Sequence, residues 1–94
     1  MACEYEVAAV ATGDLLRSEK NYVGAAGAYD LLAQAAKPDP ETAQKAALEA
    51  GEMYDMLHNR EQAVKRYQTA VAIDPGSPLA ETARKRLKEA YSGS

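Results

Sequence analysis

Covalent and metal chemistry have few residues to work with in this chain. There is one histidine, His58, and one cysteine, Cys3. With no CxxC, no HExxH and no second soft ligand, the spacing of a zinc site is absent. Cys3 and His58 form a conceivable nucleophile–base pair. Cys3 stands in a terminus expected to fray, and His58 falls in an expected turn, where a polar residue is ordinary. Gly24-Ala25-Ala26-Gly27 lacks the Lys-Ser/Thr and the preceding strand of a phosphate loop. Its glycines are expected inside a helix, permitting close packing. Glu49, Glu52 and Asp55 are spaced three apart, the spacing of neighbours on a helical face, which most often faces solvent. No catalytic constellation, metal site or cofactor motif results, and the sequence reads as non-enzymatic.

The elements that would position these residues are helical. Twenty of the 94 residues are Ala, against 14 Val, Leu and Ile, with no Phe or Trp. Ala is the best helix former and buries little surface, so close helix contacts and modest stability are expected. Gly13, Leu16, Ala25, Tyr29 and Leu32 recur 38 positions later as Gly51, Tyr54, Ala63, Tyr67 and Ala70. Within each copy the spacings of three, four and seven mark helical faces on either side of a turn. Asn21 and Asn59 stand at equivalent boundaries, and Gln62 completes a capping box with Asn59. Asp39-Pro40 and Ser77-Pro78 each put a capping side chain before a Pro at the first helical position. Asp74-Pro75-Gly76 is a stop signal. Five helices follow, over Glu4–Ser18, Tyr22–Ala36, Pro40–Leu57, Arg60–Ile73 and Pro78–Tyr91, with no strand.

These residues carry a family resemblance. Gly51, Tyr54, Ala63, Tyr67, Ala70 and Pro75, within Gln44 to Ser77, resemble a tetratricopeptide repeat. The first copy, about Glu6 to Asp39, is similar through Gly13, Tyr22, Ala25 and Tyr29. It departs at Leu16, Leu32 and four extra residues around Lys37–Pro40. The last helix, about 78–91, with Leu79, Ala83, Leu87, Ala90 and Tyr91 on its apolar face, resembles the family's C-terminal solvating helix. The resemblance implies one all-α domain of antiparallel helix-turn-helix repeats wound into a right-handed superhelix, with repeats at about 6–39 and 44–77. Gly51 and Ala63 would meet where paired helices cross. Tyr54 and Tyr67 would pack in the core, not stack on bases or sugars.

The resemblance also implies a concave groove lined by the first helix of each pair. Its positions here are Val7, Val10, Ala11, Asp14, Arg17 and Ser18, then Lys45, Leu48, Glu49, Glu52, Asp55 and Met56. Val10, Leu48 and Met56 would be apolar patches framed by Asp14, Glu49, Glu52 and Asp55. The expected partner is a peptide or protein segment with basic and apolar residues. The chaperone-tail carboxylate clamp of some family members is not expected, because Val10, Asp14 and Glu49 stand at its Lys and Asn positions.

The bulk properties fit a binding module. A net charge of −3 argues against phosphate-driven nucleic-acid binding. The basic run Arg84-Lys85-Arg86-Leu87-Lys88 complements a helix C-terminus and has no interleaved aromatic. No stretch is long and apolar enough to enter a membrane. The default setting is soluble and cytoplasmic, or periplasmic if the chain is excised from a longer secreted parent. Ser77–Ala80 through Arg84–Leu87 resembles the terminal helix of bacterial envelope repeat proteins, and Ser92-Gly93-Ser94 reads as linker. An alternative function follows from Tyr5, Val7, Ala8 and Val10, which nothing earlier in the chain covers. Either a preceding repeat in a longer parent protein would hide this edge, or a second copy of the chain would, giving self-assembly into a homo-oligomer.

Overall fold

The computed structural model describes residues 12–35 and 39–93. They form helices and no strand: α1 through residues 12–18, α2 Tyr22–Ala35, α3 Pro40–Met56, α4 Arg60–Ile73 and α5 Pro78–Lys88. Val7, Val10 and Ala11 of the expected groove, Cys3, and the expected N-terminal edge lie outside the described residues. No described helix is long and apolar enough to cross a membrane.

Local chemistry sets the starts. The Asp39 carboxylate accepts from the Thr42 N–H and hydroxyl, Asn59 Oδ1 accepts from the Gln62 N–H, and Ser77 Oγ accepts from the Ala80 N–H. These bonds satisfy first-turn donors that have no partner inside the helix. Gln62 does not complete the expected reciprocal box. Its side-chain oxygen accepts from Arg66, and the Asn59 N–H turns back to the Tyr54 carbonyl.

The 38-residue recurrence is built into the backbone. Lys20 and His58 are the described non-glycine residues with positive φ, 62° and 59°, and 58 − 20 gives 38. Glu19 and Leu57 donate to Leu15 and Met53, Lys20 and His58 to Arg17 and Asp55, Asn21 and Asn59 to Leu16 and Tyr54. Asn21 caps Gly24 as Asn59 caps Gln62. One turn geometry thus reverses the chain in both hairpins.

Packing follows chain order: α2 on α3, α3 on α4, α4 on α5, with a smaller α3–α5 contact. The central α3 buries Ala43, Ala46, Ala47, Ala50 and Gly51, whose small side chains let neighbours approach from several directions. An ideal Cβ on Gly51 would stand 2.5 Å from the Tyr67 ring, and one on Gly13 2.6 Å from the Tyr29 ring. The small residue in each hairpin therefore receives the tyrosine of its second helix. Gly51 was expected to meet Ala63. Ala63 is buried in one cluster with Tyr67, and the Tyr67 ring reaches the glycine. Gly24 meets Leu16 and Asn21, whereas Gly27 faces open space and packs against nothing.

Helix α5 ends three residues before the expected Tyr91. Arg60 Nη2 donates to the carbonyls of Arg86 and Leu87 at 2.6 and 2.9 Å, closing the last turn. Beyond it Glu89 is extended (φ −138°, ψ 121°), and Tyr91 turns back onto α3.

Candidate functional site

Along α3 runs a stripe at helical spacing: Glu41 and Lys45 exposed, then Glu49 and Met56 half-buried. Glu52, on the same stripe, is 7% exposed. Side chains from α1 and α5 reach this stripe from either side. Arg17 lies 3.5 Å from both Glu49 and Glu52, and Arg86 lies 3.3 Å from Glu52. One turn on, Asp55 accepts from Arg60 at 3.0 Å, from the Tyr67 hydroxyl at 2.7 Å and from the Tyr91 N–H at 3.0 Å. A carboxylate 7% exposed needs such partners to remain in a low-dielectric interior.

The extended segment after α5 crosses this face. The Tyr91 ring has two guanidinium groups near it, Arg86 4.8 Å and Arg17 5.8 Å from its centroid, within cation–π range. Its hydroxyl accepts from Arg17 at 2.8 Å, and its ring packs on the cluster of Ala25, Ala26, Tyr29, Ala50 and Met53. Gly93 lies beside Met56. The C-terminal half of the α3 stripe is therefore covered by the chain itself.

The N-terminal half is open. A cleft of about 470 Å³ is lined by Asp14, Arg17, Tyr29, Leu32, Glu41, Thr42, Lys45 and Glu49. Tyr29 donates its hydroxyl to Asp14 at 2.6 Å, and burial together with that bond pushes the phenol pKa up. Burial raises the Glu49 carboxyl above its ordinary value, against Tyr29, Lys45 and Arg17. Glu52 is raised for the same first reason despite its two arginines. Both carboxylates are thus under-compensated, and a further cation placed here would favour their charged forms.

Of the expected groove residues, Asp14, Arg17, Lys45 and Glu49 come together around the open cleft, and Glu52 and Met56 continue the stripe under the crossing segment. Two do not line a surface. Leu48 is 5% exposed, packed with Ala63, Tyr67, Ala70 and Ala83 and against Leu79 and Leu87, because α5 covers that side of α3. Asp55 points into the interior as the shared acceptor already described. Val10 lies outside the described residues. The sequence reading missed Arg86, Arg60 and Tyr91. Tyr91 next to Ser92-Gly93 read as the end of a helix before linker, and nothing local announces its return to Asp55.

The remaining candidates have structural surroundings. Tyr54 donates to Asp30 at 2.9 Å and lies under Arg66 at 5.0 Å, while Arg66 grips Asp30 at 2.8 Å. His58 is exposed in the turn between α3 and α4. Arg84 donates to the Pro75 carbonyl, so two members of the basic run, Arg84 and Arg86, are engaged within the fold. Among the described residues no group of three or more His, Cys, Asp or Glu side chains is disposed to hold a metal ion.

Comparison with protein-family models, curated proteins and solved structures finds no match to this chain.

Proposed function

We propose that this chain is a non-enzymatic, tetratricopeptide-type interaction module that holds a peptide or protein segment across the face shared by α1, α3 and α5. The observation that carries this reading is the crossing segment. An extended stretch of polypeptide is held on that face, with the Tyr91 N–H on Asp55 and its ring packed on α3, while the adjoining half of the stripe stays open. The matched turns and caps of the two hairpins support the repeat assignment.

The open half selects for positive charge. Asp14, Glu41 and Glu49 outnumber Lys45, and Arg17 is already shared between two carboxylates and Tyr91. A ligand with lysine or arginine beside apolar residues complements this surface. Calorimetric titration of the chain with a panel of basic–apolar peptides tests it. Binding that weakens with salt, and falls roughly tenfold or more when Asp14→Lys and Glu41→Lys are combined, is the expected outcome. If no peptide of the panel binds, the reading fails.

A second reading, self-assembly, is favoured by a separate observation. Among the described residues the exposed large hydrophobic ones are Leu15, Val23 and Leu31, at 59, 68 and 50%, and all lie on α1 and α2. None lies on the helices that follow. Light scattering over a tenfold concentration range distinguishes the readings. A dimer that Leu31→Glu converts to monomer assigns the function to this edge, and a monomer throughout removes it.

A further inference from the structure

The crossing segment carries information about what the face recognises. After Lys88 the chain leaves the helix, and three residues at no more than about 3.6 Å each bring Tyr91 to the far end of α3. Ala90, Ser92 and Gly93 are exposed, whereas Tyr91 is half-buried. Tyr91 is therefore the residue of this segment that enters the face. Its seat is specific in three respects. The Asp55 carboxylate takes the backbone N–H, which any residue but proline offers. The ring enters a slot beside Arg86, whose guanidinium suits an electron-rich aromatic. At the end of the slot Arg17 donates to the hydroxyl, which phenylalanine lacks.

The seat is also built on groups that are anchored independently of Tyr91. Asp55 is held by Arg60 and Tyr67, and Arg86 by Glu52. Arg17 contacts Glu49 and Glu52. With Tyr91 withdrawn, each of these partners remains, so the slot persists, and a foreign segment can fill it.

We propose that residues 89–93 are a built-in occupant, and that the partner of this face is an extended peptide segment carrying a tyrosine, which binds by displacing Tyr91 from its seat against Arg17 and Arg86. The inference rests on the peptide-binding reading above and names the chemistry of the ligand at one end of the face. A ligand joining both halves carries its tyrosine at the Asp55 end and its basic residues toward Asp14 and Glu41.

The test uses the full chain and a fluorescently labelled peptide, Glu-Ala-Tyr-Ser-Gly with blocked ends, followed by anisotropy. The Tyr91→Ala chain is expected to bind it roughly tenfold or more tightly than the unaltered chain, because an internal competitor lowers apparent affinity by the fraction of time the seat is free. Replacing the peptide's tyrosine by alanine, or Arg17 by alanine in the Tyr91→Ala chain, is expected to abolish binding. If Tyr91→Ala does not fold by circular dichroism, Tyr91→Phe keeps the ring and loses the Arg17 bond. That variant is expected to bind the tyrosine peptide more tightly than the unaltered chain by a smaller factor. Equal binding by altered and unaltered chains overturns displacement. No binding of the tyrosine peptide, with basic–apolar peptides still bound, overturns this inference alone. If neither kind of peptide binds, both readings fall.

Discussion

Tyr29 and Tyr67 each lay a ring across a glycine of the partner helix and point their hydroxyl at a carboxylate, Asp14 or Asp55. At Gly51 the fit leaves no room for a methyl group, so Gly51→Ala must push Tyr67, which is fully buried. Overpacking of this kind costs about 1–3 kcal/mol, more than the roughly 1 kcal/mol gained from alanine's helix propensity. Gly27, mid-helix in α2 with nothing near it, has only the gain, and Gly27→Ala is expected to stabilise by about 0.5–1 kcal/mol. Urea denaturation of the two variants checks both signs. The glycine–tyrosine recurrence was legible as a pattern, because the 38-residue offset preserves residue type. Which side chain fills the gap was not. A helix crossing brings several side chains within reach, and the pattern does not say which of them lies nearest.

At the scale of the element, α3 decides the electrostatics. Glu49 and Glu52 are held above the ordinary glutamate value of 4.5, by burial first. A raised acid pKa means that the folded chain takes up protons more readily than the unfolded chain. Their contribution is therefore fully present below the ordinary value and is lost as pH rises through the folded value. Thermal unfolding is expected at higher temperature near pH 5 than near pH 7.5, and Glu49→Gln with Glu52→Gln is expected to flatten that slope. Asp39 acts in the opposite sense. The Thr42 hydroxyl and N–H hold it below its ordinary 3.8, so its contribution is lost as pH falls through the lower folded value. Differential scanning calorimetry from pH 3 to 7.5 reads both limbs. Helix starts were legible because Asp39, Asn59 and Ser77 act on residues three positions away. The end of α5 was not, because Arg60 and Asp55, distant in the chain, determine it. Leu48 was misplaced for the same kind of reason. Its exposure depends on where α5 comes to rest, and the pattern within α3 is the same either way.

Over the whole molecule, α3 belongs to both halves. It carries the tyrosine seat of the second hairpin at Gly51 and packs on α2 of the first through Ala50 and Met53. Gln44, 2% exposed, ties it to the end of α4 through the Ala70 and Asp74 carbonyls and accepts from Ser77 at the start of α5. An element shared in this way leaves neither hairpin free to unfold alone. Far-ultraviolet circular dichroism and tyrosine fluorescence are expected to report one coincident urea transition; two separated midpoints would show that the halves are independent.

The equivalence of Asp39-Pro40 with Ser77-Pro78, and of Lys20 with His58, has a consequence for lineage and engineering. The chain enters α5 by the same cap with which it enters α3, and it reverses by the same left-handed residue each time. A duplicated block running from Asp39 to Gly76 could be spliced in ahead of Ser77 with one new junction, Gly76 to Asp39, where a cap residue again follows the stop. The gene for such a protein could lengthen or shorten by unequal crossing-over in whole units, and each product would begin and end its helices on the same signals.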